Sequence, residues 1–129
     1  MLALKTIHHI ALIFRDYAQS KAFYTEVLGL EILQEVYRPQ RDSYKLDLAL
    51  HSHYILELFS FPNPPTRLSR PETTGLRHLA FAVEAVAATR SLLLEQHYHP
   101  EPIRIDEYTG KLFFFMNDPD GLPLEFYEG

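Results

Sequence analysis

Sliding the chain onto itself by 69 positions lays His9-Ile-Ala-Leu on His78-Leu-Ala-Phe, so both halves open with the same signature. The correspondence runs to the far end of each half: 48 residues separate His9 from Glu57, and 47 separate His78 from Glu125. Self-similarity at a fixed offset means one supersecondary unit built twice. Each copy then carries one imidazole near its start and one carboxylate near its end. Nitrogen and oxygen donors of these types suit a divalent metal ion.

The order of elements repeats with the residues. Residues 5–14, KTIHHIALIF, are apolar and β-rich. They end at Asp16, an N-cap with Gln19 three residues on, in capping-box spacing. Tyr17, Ser20, Tyr24 and Val27 or Leu28 then recur at helical spacing, and Gly29 stands where a C′ residue belongs. The pattern predicts a helix over 17–28 and strands at 31–38, 44–50 and 54–61. The second half predicts a strand at 76–83, a helix over 85–97 and strands at 102–106, 111–117 and 122–128. The expected fold class is α+β, with two βαβββ modules.

Between the modules lies PNPPTRLSRPETTG, residues 62–75, with four prolines and a glycine. Proline removes a backbone donor and fixes φ, so this stretch holds neither a helix interior nor a central strand. The chain is therefore read as a single domain over 1–129, with module one at 1–61, a linker at 62–75 and module two at 76–129. Its 129 residues and 47% hydrophobic content fit one domain with a buried core.

Composition narrows the function classes. The chain has no cysteine, which excludes disulfides, a thiol nucleophile and a thiolate metal site. Its net charge of −5 argues against a nucleic-acid partner, which needs a basic face. No stretch approaches the roughly 18 consecutive apolar residues of a membrane span. The N-terminal MLALKTIHHI lacks a charged leader and a small-residue cleavage site, so the expected location is cytoplasmic.

Strand alternation gives the four donors a setting. His78 shares a face with Ala80 and Ala82, while Leu79, Phe81 and Val83 point the other way. His9 likewise shares its face with Ala11 and Ile13, opposite Ile10, Leu12 and Phe14. Small neighbours leave room beside each histidine, and the bulkier face is left to pack on a helix. Glu57 in YILELFSF and Glu125 in LPLEFYE are lone carboxylates in apolar or aromatic strands. A buried carboxylate costs several kcal/mol unless it is paired, protonated or bound to a cation, so each needs a partner.

Three segments carry a resemblance: HIALIFRDYAQSKAFYTEVLGL, GLRHLAFAV and the closing NDPDGLPLEFYE, whose DPDG turn precedes the strand of Glu125. In this order and spacing, over nearly the whole chain, the sequence resembles the vicinal oxygen chelate superfamily. That group includes glyoxalase I, fosfomycin-resistance proteins, extradiol dioxygenases and methylmalonyl-CoA epimerase. The resemblance implies paired βαβββ modules whose mixed sheets curve into a cup around one metal ion. It assigns His9, Glu57, His78 and Glu125 as the metal ligands, with waters or two adjacent substrate oxygens completing the shell. The full His/Glu/His/Glu set looks most like bacterial glyoxalase I. Ni²⁺, Zn²⁺, Co²⁺, Mn²⁺ and Fe²⁺ all suit such donors.

The implied chemistry is that of a metal-dependent lyase or isomerase acting on a small oxygen-chelating substrate through an enediolate. By the same resemblance Glu125 is both ligand and base, and Glu57 is its catalytic partner. Two positions depart from glyoxalase I: where that enzyme holds glutathione with an arginine and an asparagine, this chain has Ile13 and Phe61. Neither can anchor a carboxylate, so the resemblance carries the metal site further than it carries glutathione. The alternatives on the same scaffold are an extradiol-type Fe²⁺ dioxygenase, which leaves Glu57 unexplained, and an antibiotic-binding resistance protein, which usually lacks the ligands. The expected partners are a small-molecule substrate and a second copy of the chain, in a homodimer.

Further polar groups are candidates for an anion-binding edge: Arg38, Arg41 and Lys45 near one strand turn, and Tyr108 and Lys111 before the strand leading into NDPDG. His8 alternates away from His9 and is read as structural. His51, His53, His97 and His99 fall in turn or helix-end contexts and are read as exposed.

Overall fold

Caps and turns set the borders of the elements in a computed structural model that describes every residue, Met1–Gly129. The chain divides into two units, Met1–Pro65 and Thr66–Gly129. In the first, β1 (Ile10–Phe14) leads to α1 (Tyr17–Ala22), whose N-cap Asp16 accepts a hydrogen bond from the Gln19 amide at 2.9 Å. The helix then widens into one π-turn, Phe23–Val27, with the Leu28 amide donating to the Phe23 carbonyl. Gly29 ends it at φ +78°, a conformation in which a Cβ would be strained. Strands β2 (Glu31–Arg38), β3 (Ser43–Leu50) and β4 (His53–Ser60) complete the unit.

The second unit repeats the order with β5 (Leu79–Val83), α2 (Val86–Glu95), β6 (Arg104–Ile105), β7 (Leu112–Asn117) and β8 (Pro123–Glu128). The sheet orders are β1-β4-β3-β2 and β5-β8-β7-β6. In each, the first and last strands run parallel and the remaining pairs antiparallel. The βαβββ order predicted from the repeat is therefore present twice, as two open four-stranded mixed sheets of an α+β fold.

Some borders differ from the sequence reading. The first strand begins at Ile10, opposite Leu56, not at residue 5. Residues before Ile10 do not join the ladder. Helix α1 is six residues long, with the rest of its predicted length taken by the π-turn. Strand β6 is only two residues. The proline-rich stretch is divided between the units: Arg15 bonds the Pro64 carbonyl at 2.8 Å in the first. In the second, Arg67 donates to the carbonyls of Leu76 at 2.6 Å and Arg77 at 3.0 Å.

One face of each sheet is filled. In the first unit Leu46, Leu48, Leu56 and Leu58 are fully buried with Phe14, Phe23 and Tyr24. In the second, α2 packs on β7 and β8, and Phe114, Leu124 and Phe126 are buried with Leu93 and Val86. Each such side chain contributes roughly 1.5–3 kcal/mol by leaving water. Helix α2 ends in a Schellman motif: Tyr98 N–H donates to the Leu93 carbonyl and His97 N–H to that of Leu94, with His97 at φ +66°. His97 is exposed in a left-handed conformation that glycine adopts without strain. His97→Gly is expected to raise stability by about 0.5–1 kcal/mol, read as a higher urea midpoint at unchanged slope.

Candidate functional site

The face of each sheet turned away from its buried core carries the His/Glu pair, at the same register in both units. Each histidine stands one residue before the first laddered residue of its strand. Glu57 lies opposite Ala11, two residues past His9, and Glu125 lies opposite Ala80, two past His78. The alternation read from the sequence is observed: Ala11, Ile13, Ala80 and Ala82 are exposed, while their strand neighbours are wholly or partly covered. The imidazoles are about one-third exposed, and the carboxylates are 17% and 14% exposed for Glu57 and Glu125. Both pairs are thus reachable, and each offers one nitrogen and one oxygen donor. That donor chemistry fits a divalent cation. No group of three or more His, Asp or Glu side chains placed to hold a metal is found, and each pair by itself supplies two donors.

The two His/Glu pairs have unlike surroundings. In the first, His9 Nε2 is 3.8 Å from Glu57 Oε1, and Glu57 Oε2 is 3.2 Å from the Tyr54 hydroxyl and 3.6 Å from Lys45 Nζ. Lys45 Nζ donates to both oxygens of Asp47 at 2.8 and 2.7 Å, and the Tyr54 hydroxyl donates to Asp47 at 2.9 Å. Two carboxylates against one ammonium leave a net negative charge that favours a cation. Burial, then the hydrogen bond and charge of Asp47, push the Tyr54 phenol well above its ordinary pKa, so it stays protonated and acts as donor. His8 does not turn away as the alternation implied: its Nδ1 lies 2.7 Å from His9 Nδ1, and both rings pack near Tyr54.

In the second, His78 Nε2 is 2.8 Å from Glu125 Oε2, and the imidazole meets Phe115 edge-on at 5.1 Å. The strand position opposite the carboxylate is Asp47 in the first unit and Phe115 in the second. No lysine faces Glu125, whose ion-pair-distance partner is the His78 imidazole. Asp47, buried at 5% exposure, is the site residue that the sequence reading missed. The signal was present, because a lone carboxylate in SYKLDLAL needs a partner by the same reasoning that singled out Glu57.

Of the proposed anion-binding groups, Arg38 and Lys45 lie on the same sheet face as Glu57, and Arg41, Tyr108 and Lys111 are exposed. Beside Tyr108, amide and hydroxyl donors from Tyr108 and Tyr127 hold the Asp106 carboxyl below its usual range, which tightens that turn. His51, His53, His97 and His99 are exposed, as expected. No helix is long and apolar enough to cross a membrane.

Comparison with known proteins agrees with this geometry. Residues 6–126 match the model of the Glyoxalase/Bleomycin resistance protein/Dioxygenase superfamily. The chain is 59% identical to protein YaeR of Escherichia coli, over 99% of each chain. It is 47% identical to a glyoxalase family protein from Enterococcus faecalis of known crystal structure, at a TM-score of 0.90 over 98% of this chain and 100% of that one. The fold is also that of the trypanothione-dependent glyoxalase I of Leishmania major, at 23% identity and a TM-score of 0.72 over 97% and 87% of the two chains. Duplicated βαβββ units, family match and full-length relatives together make this chain a member of the glyoxalase/bleomycin resistance protein/dioxygenase superfamily.

Proposed function

We propose that the protein is a glyoxalase I-like, divalent-metal-dependent lyase or isomerase that removes a proton next to a carbonyl in a small, oxygen-chelating substrate. The observation that carries the reading is the repetition of one His/Glu pair, at one register, on the open face of both sheets. His9, Glu57, His78 and Glu125 would hold the ion. When bound, the ion would supply positive charge for an anion developing on two neighbouring substrate oxygens. Glu125, free of any lysine, removes the proton, and Glu57 serves as its partner in returning it. Tyr54 and Lys45 fix the orientation of the Glu57 carboxylate through the hydrogen bond and charge they present to it. Ile13 is 59% exposed and apolar, which speaks for a substrate other than a glutathione adduct. The reading includes a homodimer working in the cytoplasm, supported by family likeness and the absence of cysteine.

The test is metal analysis of the purified protein followed by proton exchange in D₂O. About one equivalent of divalent metal per chain is expected. Deuterium is expected to appear next to the carbonyl of small 2-hydroxycarbonyl compounds, with the methylglyoxal–glutathione hemithioacetal run alongside. Absence of both metal and exchange would favour a sequestering protein. Iron with oxygen uptake on catechols would favour a dioxygenase.

A further inference from the structure

Arg38 closes β2 and lies on the same face of its sheet as Glu57. Its guanidinium sits 4.7 Å above the Phe59 ring and 5.7 Å from that of Phe61, two rings stacked on each other at 6.1 Å. One terminal nitrogen donates to the Ser43 hydroxyl at 2.7 Å. Its Nε is buried with no hydrogen-bond partner, and no carboxylate pairs with it. Lys45, the neighbouring cation on this face, is by contrast committed to Asp47 and Glu57.

The second unit provides an internal comparison. Arg104 also rests on two phenylalanines, Phe113 and Phe115, at 5.2 Å each, but it is paired with Glu101 at 3.2 Å and its side chain is 54% exposed. The same cation-on-aromatics device is therefore neutralised in one module and left uncompensated in the other. A half-buried, uncompensated guanidinium held by two rings and a hydroxyl is arranged for an anion, because arginine presents paired donors to carboxylate or phosphate oxygens. Phe59 follows Glu57 by two residues, about 7 Å along the strand. One small molecule can span both points.

Resting on the enediolate reading and deepening it, we infer that Arg38 on its Phe59/Phe61 platform is an anion subsite, and that the substrate carries a compact carboxylate or phosphate beside its chelating oxygens. Phe61, which stands where glyoxalase I has a glutathione contact, is then part of the platform of a different anion site.

The test uses three hydroxamates that chelate through adjacent oxygens: neutral acetohydroxamate, carboxylate-bearing malonomonohydroxamate and phosphonoacetohydroxamate. Affinities are measured by calorimetry on the full-length, metal-loaded protein. At least one anionic probe is expected to bind about tenfold or more tightly than acetohydroxamate, and the better of the two identifies the anion. Arg38→Gln should erase the preference while leaving acetohydroxamate binding within about twofold, and Arg38→Lys should keep part of the preference. Equal binding of all three by the unaltered protein, or a preference that survives Arg38→Gln, overturns the inference. If no hydroxamate binds, the metal reading falls. Inorganic phosphate titrated into metal-free protein and followed by ³¹P line broadening then decides the subsite alone: saturable broadening lost in Arg38→Gln upholds it, and broadening that is absent or unchanged refutes it.

Discussion

Glu125→Gln is expected to lower kcat by about 10²–10⁴-fold on whichever 2-hydroxycarbonyl compound the proton-exchange assay identifies. Glutamine keeps the shape and one oxygen donor but cannot take up a proton at neutral pH. The fold should be unaffected, since the substitution breaks a single carboxylate–imidazole pair at a partly exposed position. Metal content should fall less than turnover, because the amide oxygen still coordinates. The diagnostic quantity is therefore exchange rate per metal-loaded chain. A Glu125→Gln protein that retains its metal and exchanges at the original rate would remove Glu125 from the role of base and leave it a ligand only.

Phe114→Ala is the largest stability change to expect, about 3–5 kcal/mol. Phe114 is fully buried in β7 and stacked on Phe126 at 4.9 Å, where α2 covers the sheet. Truncation removes both the transfer free energy of the ring and its packing against the surrounding side chains. A domain of ordinary stability has only about 5–15 kcal/mol in total, so the denaturant midpoint should drop far enough to expose part of the population without denaturant. Leu92→Ala serves as the control: it lies on the outward side of α2 at 57% exposure and should cost well under 1 kcal/mol. Comparable losses for the two would mean that the second unit is held by something other than this core.

The repeat made most of the fold legible in the sequence. His9-Ile-Ala-Leu and His78-Leu-Ala-Phe supply both the order of elements and the faces, because a period of two places Ala11 beside His9 and Ala80 and Ala82 beside His78. Asp16 and Gly29 were legible as a cap and a stop because their chemistry is local. What escaped was set by partners distant in sequence. The first strand joins its ladder only at Ile10, opposite Leu56, and no property of residues 5–9 announces that start. The π-turn, in which Phe23 and Tyr24 are buried, departs from the helical periodicity that the sequence shows. Asp47 was overlooked because its counterpart is Phe115, so a comparison of halves that looks for agreement passes over it.

That disagreement between the halves separates what the ladder fixes from what it leaves free. A backbone ladder copied twice fixes where the two carboxylates stand, yet strand neighbours can be replaced without disturbing the ladder. One unit sets Lys45, Asp47 and Tyr54 around its glutamate, and the other sets Phe115 opposite its glutamate. The two units are alike in architecture and unlike in chemistry. A chimera built from two copies of residues 1–65 would carry four donors of the same kinds, but each of its glutamates would stand beside a lysine ammonium, and the lysine-free setting of Glu125 would be lost.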